Sequence, residues 1–377
     1  DITTKTDPKN LTVYELSAKN TWDTIAQQSN FSNYSLGSKA LMSAFSDDGT
    51  VAALELNSAG QQYVEVFNVS SNASIAVLGP VPGTLTSVHV SAGGSRVAFS
   101  SRENGIRVYE YTPGGSESLY RELFSAASSV YGQIIALSRD GRLFAVERTC
   151  NTTLAVVETF EDLVGNGTFS VTDTLSVGDQ SEYKPGCSAM SSDGKFLATA
   201  TGNTSTSTTT LSITERIPPL AWHALPLVEL PSATHPYVLG PWNKNGTRVI
   251  VGADQIYYLT NSDSSGAYKT ELSTLKSGMA NRPDKIYDGG KYKDAFNESN
   301  IYIDEFVTYR DDDTLFGVGW KFKKSLNLET YRGIFFFLEY QVQEMAGPQD
   351  TALAPVKGTT AVVPNNPSRM VVIVVPP

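Results

Sequence analysis

The sequence contains few histidines and cysteines, the side chains most often used in catalysis and metal binding. Its 377 residues include three histidines and two cysteines, and none of His89, His223 and His235 lies near Cys150 or Cys187 in the chain. Catalysis needs titratable groups gathered in one pocket. The sequence has no nucleophile elbow, zinc-peptidase helix, phosphate loop or Cys-x-x-Cys motif. The sequence therefore favours a packed or hydrogen-bonded His89, with His223 and His235 in a proline-rich loop, and we expect no cofactor.

Acidic residues cluster in two short segments, "IDE" at 303–305 and "RDDD" at 310–313. Several oxygen ligands close together could hold a calcium ion. Asp311, Asp312 and Asp313 also stand where a repeated turn is expected, and turns favour such polar residues. We therefore interpret the cluster as a turn and predict no metal site.

Acceptor sequences for N-linked glycans, Asn-x-Ser/Thr, are more frequent than expected by chance. Ten of the twenty asparagines lie in one, whereas a chain with about one-fifth Ser and Thr should have roughly four. The excess favours a eukaryotic secretory route, and the alternative is coincidence in a Ser/Thr-rich protein. The ten are Asn10, Asn30, Asn33, Asn68, Asn72, Asn151, Asn166, Asn203, Asn245 and Asn297.

Composition and charge narrow the choice of compartment and partner. The formal charge is −10, which argues against nucleic acid and anionic membranes as partners. No apolar run approaches the roughly 18 residues of a membrane helix, so we expect no membrane insertion. The chain begins at Asp1 without Met, as expected if a signal peptide has been removed. Together with the glycan acceptors, this predicts a secreted, extracellular protein.

A turn motif with a central glycine recurs every 45 to 53 residues. Asp-Gly and Asn-Gly allow the positive φ that a tight hairpin requires, and the preceding polar residue can bond the turn backbone. Two degenerate copies, at 308–318 and 362–372, bring the number of repeats to seven. The five regular copies are "AFSDDGTVAAL" (44–54), "HVSAGGSRVAF" (89–99), "ALSRDGRLFAV" (136–146), "AMSSDGKFLAT" (189–199) and "PWNKNGTRVIV" (241–251).

Each turn precedes further strand-like segments rich in β-branched and aromatic residues, such as "YVEVFNV" at 63–69. Four strands in about fifty residues is the composition of a β-propeller blade. The nearest approach to a helix, 19–28, fits a strand equally well. We therefore predict an all-β fold, a seven-bladed β-propeller of four-stranded antiparallel blades. The alternatives are a six- or eight-bladed ring and a pair of β-sandwiches.

The chain ends predict how the ring closes. The last repeat stops after two strands, and residues 10–27 match the third-strand and fourth-strand positions of 62–79. A two-plus-two blade made from both ends would remove the exposed edges of an open ring. We predict a single domain over 1–377, with 1–38 completing blade seven, 39–357 forming blades one to six and 358–377 supplying the C-terminal hairpin.

The two cysteines fit this arrangement. Cys150 would end the second strand of blade three and Cys187 would open the first strand of blade four, on one face of the ring. An even pair in a secreted protein suggests one disulfide, and the alternative is two free thiols.

The Ser-x-Asp-Gly hairpin with its following aromatic strand resembles those of WD-repeat-like and lactonase-type (YVTN-like) propellers. The resemblance runs along nearly the whole chain and implies the fold. Trp22-Asp23 is the only Trp-Asp pair and Gly-His is absent, so the resemblance assigns no functional residue.

Departures from the repeat indicate where binding would occur. The insertion 276–300 and the segment 342–358 lengthen the loops around blade six, and long loops on a rigid scaffold often bind ligands. Tyr287, Lys291 and Tyr292 in the insertion are the candidate binding residues.

Three functions are compatible with these features. The first is a non-catalytic structural or interaction module, with N-linked glycans, other extracellular proteins or copies of itself as partners, which could assemble into a surface or matrix polymer. The second is a lactonase-like or glycan-acting extracellular enzyme. The third is a carbohydrate or small-ligand binder that uses exposed aromatic residues such as Tyr287, Tyr292 and Trp242. The first is preferred because catalytic residue types are sparse.

Overall fold

The structure is a computed structural model, and it describes the greater part of the chain. Side chains are described mainly between residues 44 and 230. The described residues are 10–16, 22–28, 43–46, 50–58, 61–69, 71, 73–81, 83–101, 105–113, 120–126, 132–149, 154–179, 188–203, 206, 208–217, 221–230, 238–242, 248–252, 256–260, 268–273, 301–309, 315–323, 330–338, 341–344, 360–362 and 369–374.

The described strands form antiparallel sheets, six of which follow one another along the chain as blades 1 to 6. The N-terminal strands are β1 (Asn10–Leu16) and β2 (Trp22–Gln28). Blade 1 is β3 (Ser43–Phe45), β4 (Val51–Ser58), β5 (Gln61–Asn68) and β6 (Ala73–Val81); blade 2 is β7 (Leu85–Val90), β8 (Arg96–Ser101), β9 (Gly105–Tyr111) and β10 (Tyr120–Ala126); blade 3 is β11 (Ile134–Leu137), β12 (Leu143–Thr149), β13 (Leu154–Glu161) and β14 (Ser170–Asp179).

The second half of the chain continues the pattern. Blade 4 is β15 (Ser188–Met190), β16 (Phe196–Asn203), β17 (Thr208–Ile217), β18 (Ala221–Ala224) and β19 (Val228–Leu230); blade 5 is β20 (Val238–Trp242), β21 (Arg248–Gly252), β22 (Ile256–Thr260) and β23 (Lys269–Ser273); blade 6 is β24 (Ile301–Tyr309), β25 (Leu315–Lys323), β26 (Thr330–Leu338) and β27 (Gln341–Glu344). The C-terminal strands are β28 (Thr360–Val362) and β29 (Arg369–Val374).

Both chain ends meet in one sheet, here called the closing sheet, with strand order β2-β1-β29-β28. β1 runs antiparallel to β29, from Asn10 opposite Val374 to Glu15 opposite Arg369. This confirms the predicted two-plus-two closure. The segment 19–28, which matched a helix or a strand, contributes the strand Trp22–Gln28.

The sheets follow one another around a ring. The first strand of each blade contacts the first strand of the next, from β3 through β7, β11, β15 and β20 to β24, and β28 of the closing sheet contacts both β24 and β3. This arrangement of antiparallel sheets, six of four described strands and one, blade 4, of five, confirms the all-β propeller class. The described strands form seven sheets. That the complete ring has seven blades stays a prediction, and so do the predicted domain limits.

In blades 1 to 4, the repeated serine builds the hairpin turn through its hydroxyl group. In blade 3, Ser138 Oγ accepts the Leu143 N–H at 2.9 Å and donates to Asp140 Oδ1 at 2.6 Å. The same carboxylate oxygen accepts the Arg142 N–H at 3.0 Å. The turn of blade 4 repeats this set at Ser191, Asp193 and Phe196. The recurring sequence pattern therefore encodes a hydrogen-bonded turn.

The turn glycine also lies against the preceding blade. Gly94 and Gly141 have φ of +72° and +71°, which side chains other than glycine rarely adopt. A Cβ atom on Gly94 would lie 2.6 Å from Val51 Cγ2 of blade 1, and one on Gly141 would lie 2.8 Å from Arg96 Cδ of blade 2. Glycine is therefore required for the turn conformation and for close approach of the blades.

Successive turns are joined by backbone hydrogen bonds. The Ala92 N–H of blade 2 donates to the Arg139 carbonyl of blade 3 at 2.7 Å, and the Arg139 N–H donates to the Ser192 carbonyl of blade 4 at 2.6 Å. All three residues occupy the position after the turn serine. Because both bonds join backbone atoms, they do not depend on which side chain occupies this position.

Apolar side chains fill the spaces between blades. Phe144 and Phe160 of blade 3 stack with ring centroids 4.9 Å apart, and Phe124 of blade 2 lies 5.5 Å from Phe144. Phe144 is fully buried. The core is therefore divided into layers between neighbouring sheets, and the spacing of the blades determines how well each layer packs.

Substituting alanine at neighbouring glycines separates the two demands on the turn. Gly94→Ala adds a Cβ against the stiff side chain of Val51, so we expect a loss of about 2–4 kcal/mol from positive φ and overpacking together. Gly93→Ala is the matched control, because Gly93 has φ +59° and open space around its Cβ position. It should cost only about 1–2 kcal/mol. Denaturant unfolding measures both, and equal losses would contradict contact between the turn and the neighbouring blade.

Candidate functional site

One face of the propeller bears the serine–glycine turns, and we call it the turn face. It comprises the turns 91–95, 138–142 and 191–195 together with the loop 162–168. Leu143, which follows a turn, pairs with Glu161, which precedes the loop, so that turn and the loop lie at the same end of blade 3. The turn face carries hydrogen bonds and ion pairs that join neighbouring blades.

Arg96 begins β8 at the position where other blades have Val51, Leu143 and Phe196. Its side chain is 6% exposed. The guanidinium donates to the Gly141 carbonyl at 3.1 Å and to Asp162 Oδ2 at 2.9 Å, both on blade 3. It also bonds Glu110 Oε1 of its own blade at 3.0 Å. A buried charge thus replaces an apolar contact between blades 2 and 3.

Asp162 follows β13 and is fully buried. Its carboxylate accepts N–H groups of the loop that comes after it, from Gly165 at 2.7 Å, Asn166 at 3.0 Å and Gly167 at 2.9 Å. Burial raises its pKa, but the Gly167 N–H, the Arg96 guanidinium and the Gly165 N–H outweigh burial and hold the pKa below its usual range. Asp162 is therefore an ionised anchor for the loop.

The loop 162–168 is fixed from two sides. Arg142 of the blade 3 turn donates to the carbonyls of Asp162 and Leu163, each at 3.1 Å. On the other side, a Cβ on Gly167 would lie 2.7 Å from Leu123 Cδ2 of blade 2. With its backbone N–H groups turned toward Asp162, the loop exposes 46% of Leu163 and 80% of Val164.

A second set of ion pairs joins blades 3 and 4. Arg216, near the end of β17, bonds both carboxylate oxygens of Glu161 at the end of β13. Lys195 Nζ lies 3.0 Å from Glu215 Oε1 within blade 4. These contacts are less buried than that of Arg96 with Asp162, so they contribute less to stability.

The histidines lie apart from this network. His89, on β7, donates from Nε2 to the Ile134 carbonyl of blade 3 at 3.0 Å, and burial lowers its pKa. It packs between blades, as the sequence favoured. The interpretation of His223 as a loop residue is wrong, because it is an exposed residue on β18, paired opposite Glu215. His235 lies outside the described residues.

The described part of the chain has neither a cluster of metal ligands nor a membrane-spanning helix. Among the residues with described side chains, no three His, Cys, Asp or Glu groups lie close enough to hold a metal ion. Asp304 and Glu305 belong to β24, and Asp311, Asp312 and Asp313 lie outside the described part of the chain. Within that part, no helix is long and apolar enough to cross a membrane.

Trp242 corrects the ligand-binding hypothesis. It was expected to be an exposed aromatic residue, but it is 6% exposed. Its ring stacks on Phe196 with centroids 5.4 Å apart, and its indole N–H donates to the Ala189 carbonyl at 3.1 Å. Trp242 therefore joins blades 4 and 5 and is not available to a ligand.

The other predicted binding and disulfide residues are untested. Tyr287, Lys291 and Tyr292, with the whole insertion 276–300, lie outside the described residues, as do Cys150 and Cys187. Thr149, at the end of β12, is the described residue next to Cys150, and Ser188, at the start of β15, is the described residue next to Cys187. The disulfide stays a prediction.

Two of the ten predicted glycan acceptors have described side chains. Asn166 is exposed, and its Oδ1 accepts the Thr168 N–H at 2.9 Å. Asn68 is partly buried, and its Oδ1 accepts the Ser71 N–H at 2.8 Å. Asn10 and Asn203 are described only as strand residues, in β1 and β16. The remaining six, Asn30, Asn33, Asn72, Asn151, Asn245 and Asn297, lie outside the described residues.

Arg96 and Asp162 were not predicted as site residues from the sequence. A signal was present, because Arg96 interrupts an apolar position of the repeat and Asp162 precedes a glycine-rich loop. Neither feature identifies the other residue, since the pair forms only when two blades lie side by side.

Comparison with known proteins supports the fold. No protein-family model and no curated protein matches the chain. Among solved structures, 1077 chains are similar to it. One is the β-propeller domain of Cps50 (Swd1) from Myceliophteria thermophila, which is 13% identical in sequence. The alignment covers 91% of the present chain and 99% of the Cps50 domain, with a TM-score of 0.52.

A second similar structure is KlAtg21 in complex with the coiled coil of AgAtg16. KlAtg21 is 11% identical in sequence, and the alignment covers 85% of the present chain and 87% of the KlAtg21 chain, with a TM-score of 0.56. Identities this low show the fold alone. The chain is a β-propeller that resembles WD-repeat-like propellers at the level of the fold.

Removing one partner of the buried ion pair tests how the turn face is held together. Asp162→Ala leaves Arg96 buried without its closest carboxylate and releases three loop N–H groups, so we expect a loss of about 3–5 kcal/mol at pH 7. The control, Glu110→Ala, removes the partner that is 30% exposed and should cost about 1 kcal/mol or less.

The pH dependence has a definite sign. Because the folded pKa of Asp162 is lowered, its contribution is present above the unfolded value and is lost as pH falls below about 4. Urea unfolding at several pH values should therefore show wild type and Asp162→Ala converging in acid. A difference that persists unchanged down to pH 2 would contradict an ionised Asp162.

Proposed function

We propose that the protein is a secreted, N-glycosylated propeller that acts without catalysis, as a structural or interaction module. Its partners are other extracellular proteins and copies of itself. The excess of glycan acceptors supports the secretory route. Propellers offer a rigid body with variable loops, which suits protein binding.

The charged residues of the turn face support a structural role. Arg96 with Asp162 joins blades 2 and 3, and Arg216 with Glu161 joins blades 3 and 4. Each of these groups is held by its partner in the neighbouring blade. Their arrangement fits the stiffening of a scaffold better than the activation of a nucleophile or the transfer of a proton.

The first strands of blades 1 to 5 support the same conclusion. The sequences of β3, β7, β11, β15 and β20 contain no Asp, Glu, Lys or Arg, whereas β24 of blade 6 contains Asp304 and Glu305. His89 is their one histidine, and it is bonded to the Ile134 carbonyl. A hydrolytic site in the centre of the ring would need titratable groups on these or neighbouring strands.

The closing sheet is the observation on which the proposal of self-association rests. Its β1–β2 hairpin pairs with β29 across six residue positions, and residues 29–42 connect that hairpin to blade 1. A sheet formed by the two distant ends of one chain can form with the same pairs between two chains, as in domain swapping. Successive exchange of the hairpin would link molecules into a polymer.

One similar structure adds an argument from analogy. KlAtg21 is seen in complex with a coiled coil of another protein. We extend protein binding, without the identity of that partner, to this chain. The analogy rests on the fold and indicates no particular binding residue.

Paired cysteines distinguish exchange between chains from closure within one chain. Val13 and Val371 lie opposite each other across β1 and β29, a spacing that suits a disulfide. If hairpins exchange, oxidised Val13→Cys/Val371→Cys protein should give a ladder of covalent multimers on a non-reducing denaturing gel. The ladder should collapse to one band when the disulfides are reduced.

The matched control places both cysteines in the N-terminal hairpin. Thr12 and Gln27 lie opposite each other across β1 and β2, so Thr12→Cys/Gln27→Cys should give monomers whether or not the hairpin exchanges. If the first variant also gives only monomers, at all concentrations tested and from native secreted material, polymerisation by hairpin exchange is wrong. Binding of other proteins would then be the remaining part of the proposal.

A further inference from the structure

The Asn166 loop combines a glycan acceptor with the most exposed apolar side chains of the turn face. Asn166-Gly167-Thr168 is an acceptor sequence, and Leu163 and Val164 stand three and two residues before the asparagine. Val164 is 80% exposed and Leu163 46%. Leaving such side chains in water is unfavourable, so an adjacent covering group would be stabilising.

The backbone of the loop that carries these exposed groups is held by hydrogen bonds to Asp162 and Arg142. The N–H groups of Gly165, Asn166 and Gly167 converge on the buried Asp162 carboxylate, which turns the backbone inward. Arg142 holds the Leu163 carbonyl at 3.1 Å. The loop backbone is therefore already ordered, so covering its exposed side chains would cost little further conformational entropy.

The acceptor amide is itself accessible. Asn166 is exposed, and its Oδ1 accepts the Thr168 N–H at 2.9 Å, which fixes the side chain while Nδ2 points away from that bond. Gly167 between them has φ +86° and packs against Leu123 of blade 2. The acceptor sequence is thus part of a defined turn whose middle residue is anchored.

We propose that Asn166 bears an N-linked glycan whose first N-acetylglucosamine packs over Leu163 and Val164. The sugar supplies a C–H face and an acetyl methyl group, which can cover aliphatic side chains while its hydroxyl groups remain in water. This inference rests on the secretory route of the proposed function. It assigns the exposed apolar corner of blade 3 to a covalently attached sugar.

The modification is a glycosyl transfer from a lipid-linked oligosaccharide diphosphate. Asn166 Nδ2 forms a bond to C1 of the first sugar as the bond from that carbon to the diphosphate oxygen breaks. The lipid diphosphate leaves with the electron pair of the broken bond, and one amide proton passes to a base. No oxidant or reductant is involved.

The test uses the full chain secreted from a eukaryotic cell. Glycopeptide mass spectrometry measures occupancy at Asn166, and hydroxyl-radical footprinting measures the oxidation rates of Leu163 and Val164. We expect Asn166 to be occupied and these rates to be about twofold lower than in Thr168→Ala, because the sugar removes much of their accessible area. Thr168→Ala leaves Asn166, Leu163 and Val164 in place and removes the acceptor hydroxyl together with one methyl group.

Two further variants make the result specific. Thr168→Ser keeps the acceptor sequence and should restore both occupancy and protection. Asn68→Gln removes the other acceptor whose side chain is described, and it should leave the oxidation of Leu163 and Val164 unchanged. Both substitutions are at surface or partly buried side chains, so folding should be retained.

The outcomes separate this inference from the proposed function. An occupied Asn166 with oxidation rates equal to those of Thr168→Ala would overturn the packing of the sugar. An empty Asn166 with other acceptors occupied would overturn the assignment and leave the secretory route intact. A secreted protein without any glycan would contradict both this inference and the glycosylated character of the proposed function.

Discussion

Two backbone hydrogen bonds between successive hairpin turns constrain how the blades of this protein sit beside one another. Ala92 donates to Arg139 and Arg139 to Ser192, so the turns of blades 2, 3 and 4 form a chain along one face. These bonds require each turn to approach its neighbour closely. Glycine permits this approach, because a Cβ atom at position 94 would clash with the side chain of Val51. The layers of apolar side chains between blades depend on the spacing that the turns set.

A buried ion pair adds selectivity to this general arrangement. Arg96 replaces an apolar residue of the repeat, and Asp162 is placed to receive it from the next blade. Buried pairs often contribute little net stability, but a mismatched neighbour would leave a charge without its partner. The pair also positions the loop after β13, so one interaction determines both a blade contact and what the turn face presents to solvent.

The repeat made the architecture predictable from the sequence. The recurring polar turns, five of them with a central glycine, indicated the hairpins, and the matching of 10–27 with 62–79 indicated the closing sheet. Both features depend on local spacing and strand order. Arg96 with Asp162 was not predicted, since it joins residues 66 positions apart in different blades. Trp242 was misjudged for the same reason, because its burial comes from Phe196 of the preceding blade.

Amide hydrogen exchange at Ala92 and Arg139 tests most directly whether the turns hold neighbouring blades together. Arg139 is exposed to solvent on the turn face, so its N–H would exchange rapidly without its bond to Ser192. We predict that both amides exchange at least about 1000-fold more slowly than in an unstructured peptide, like the adjoining strands. Exchange near the unstructured rate at both positions, with the strands still protected, would contradict the account.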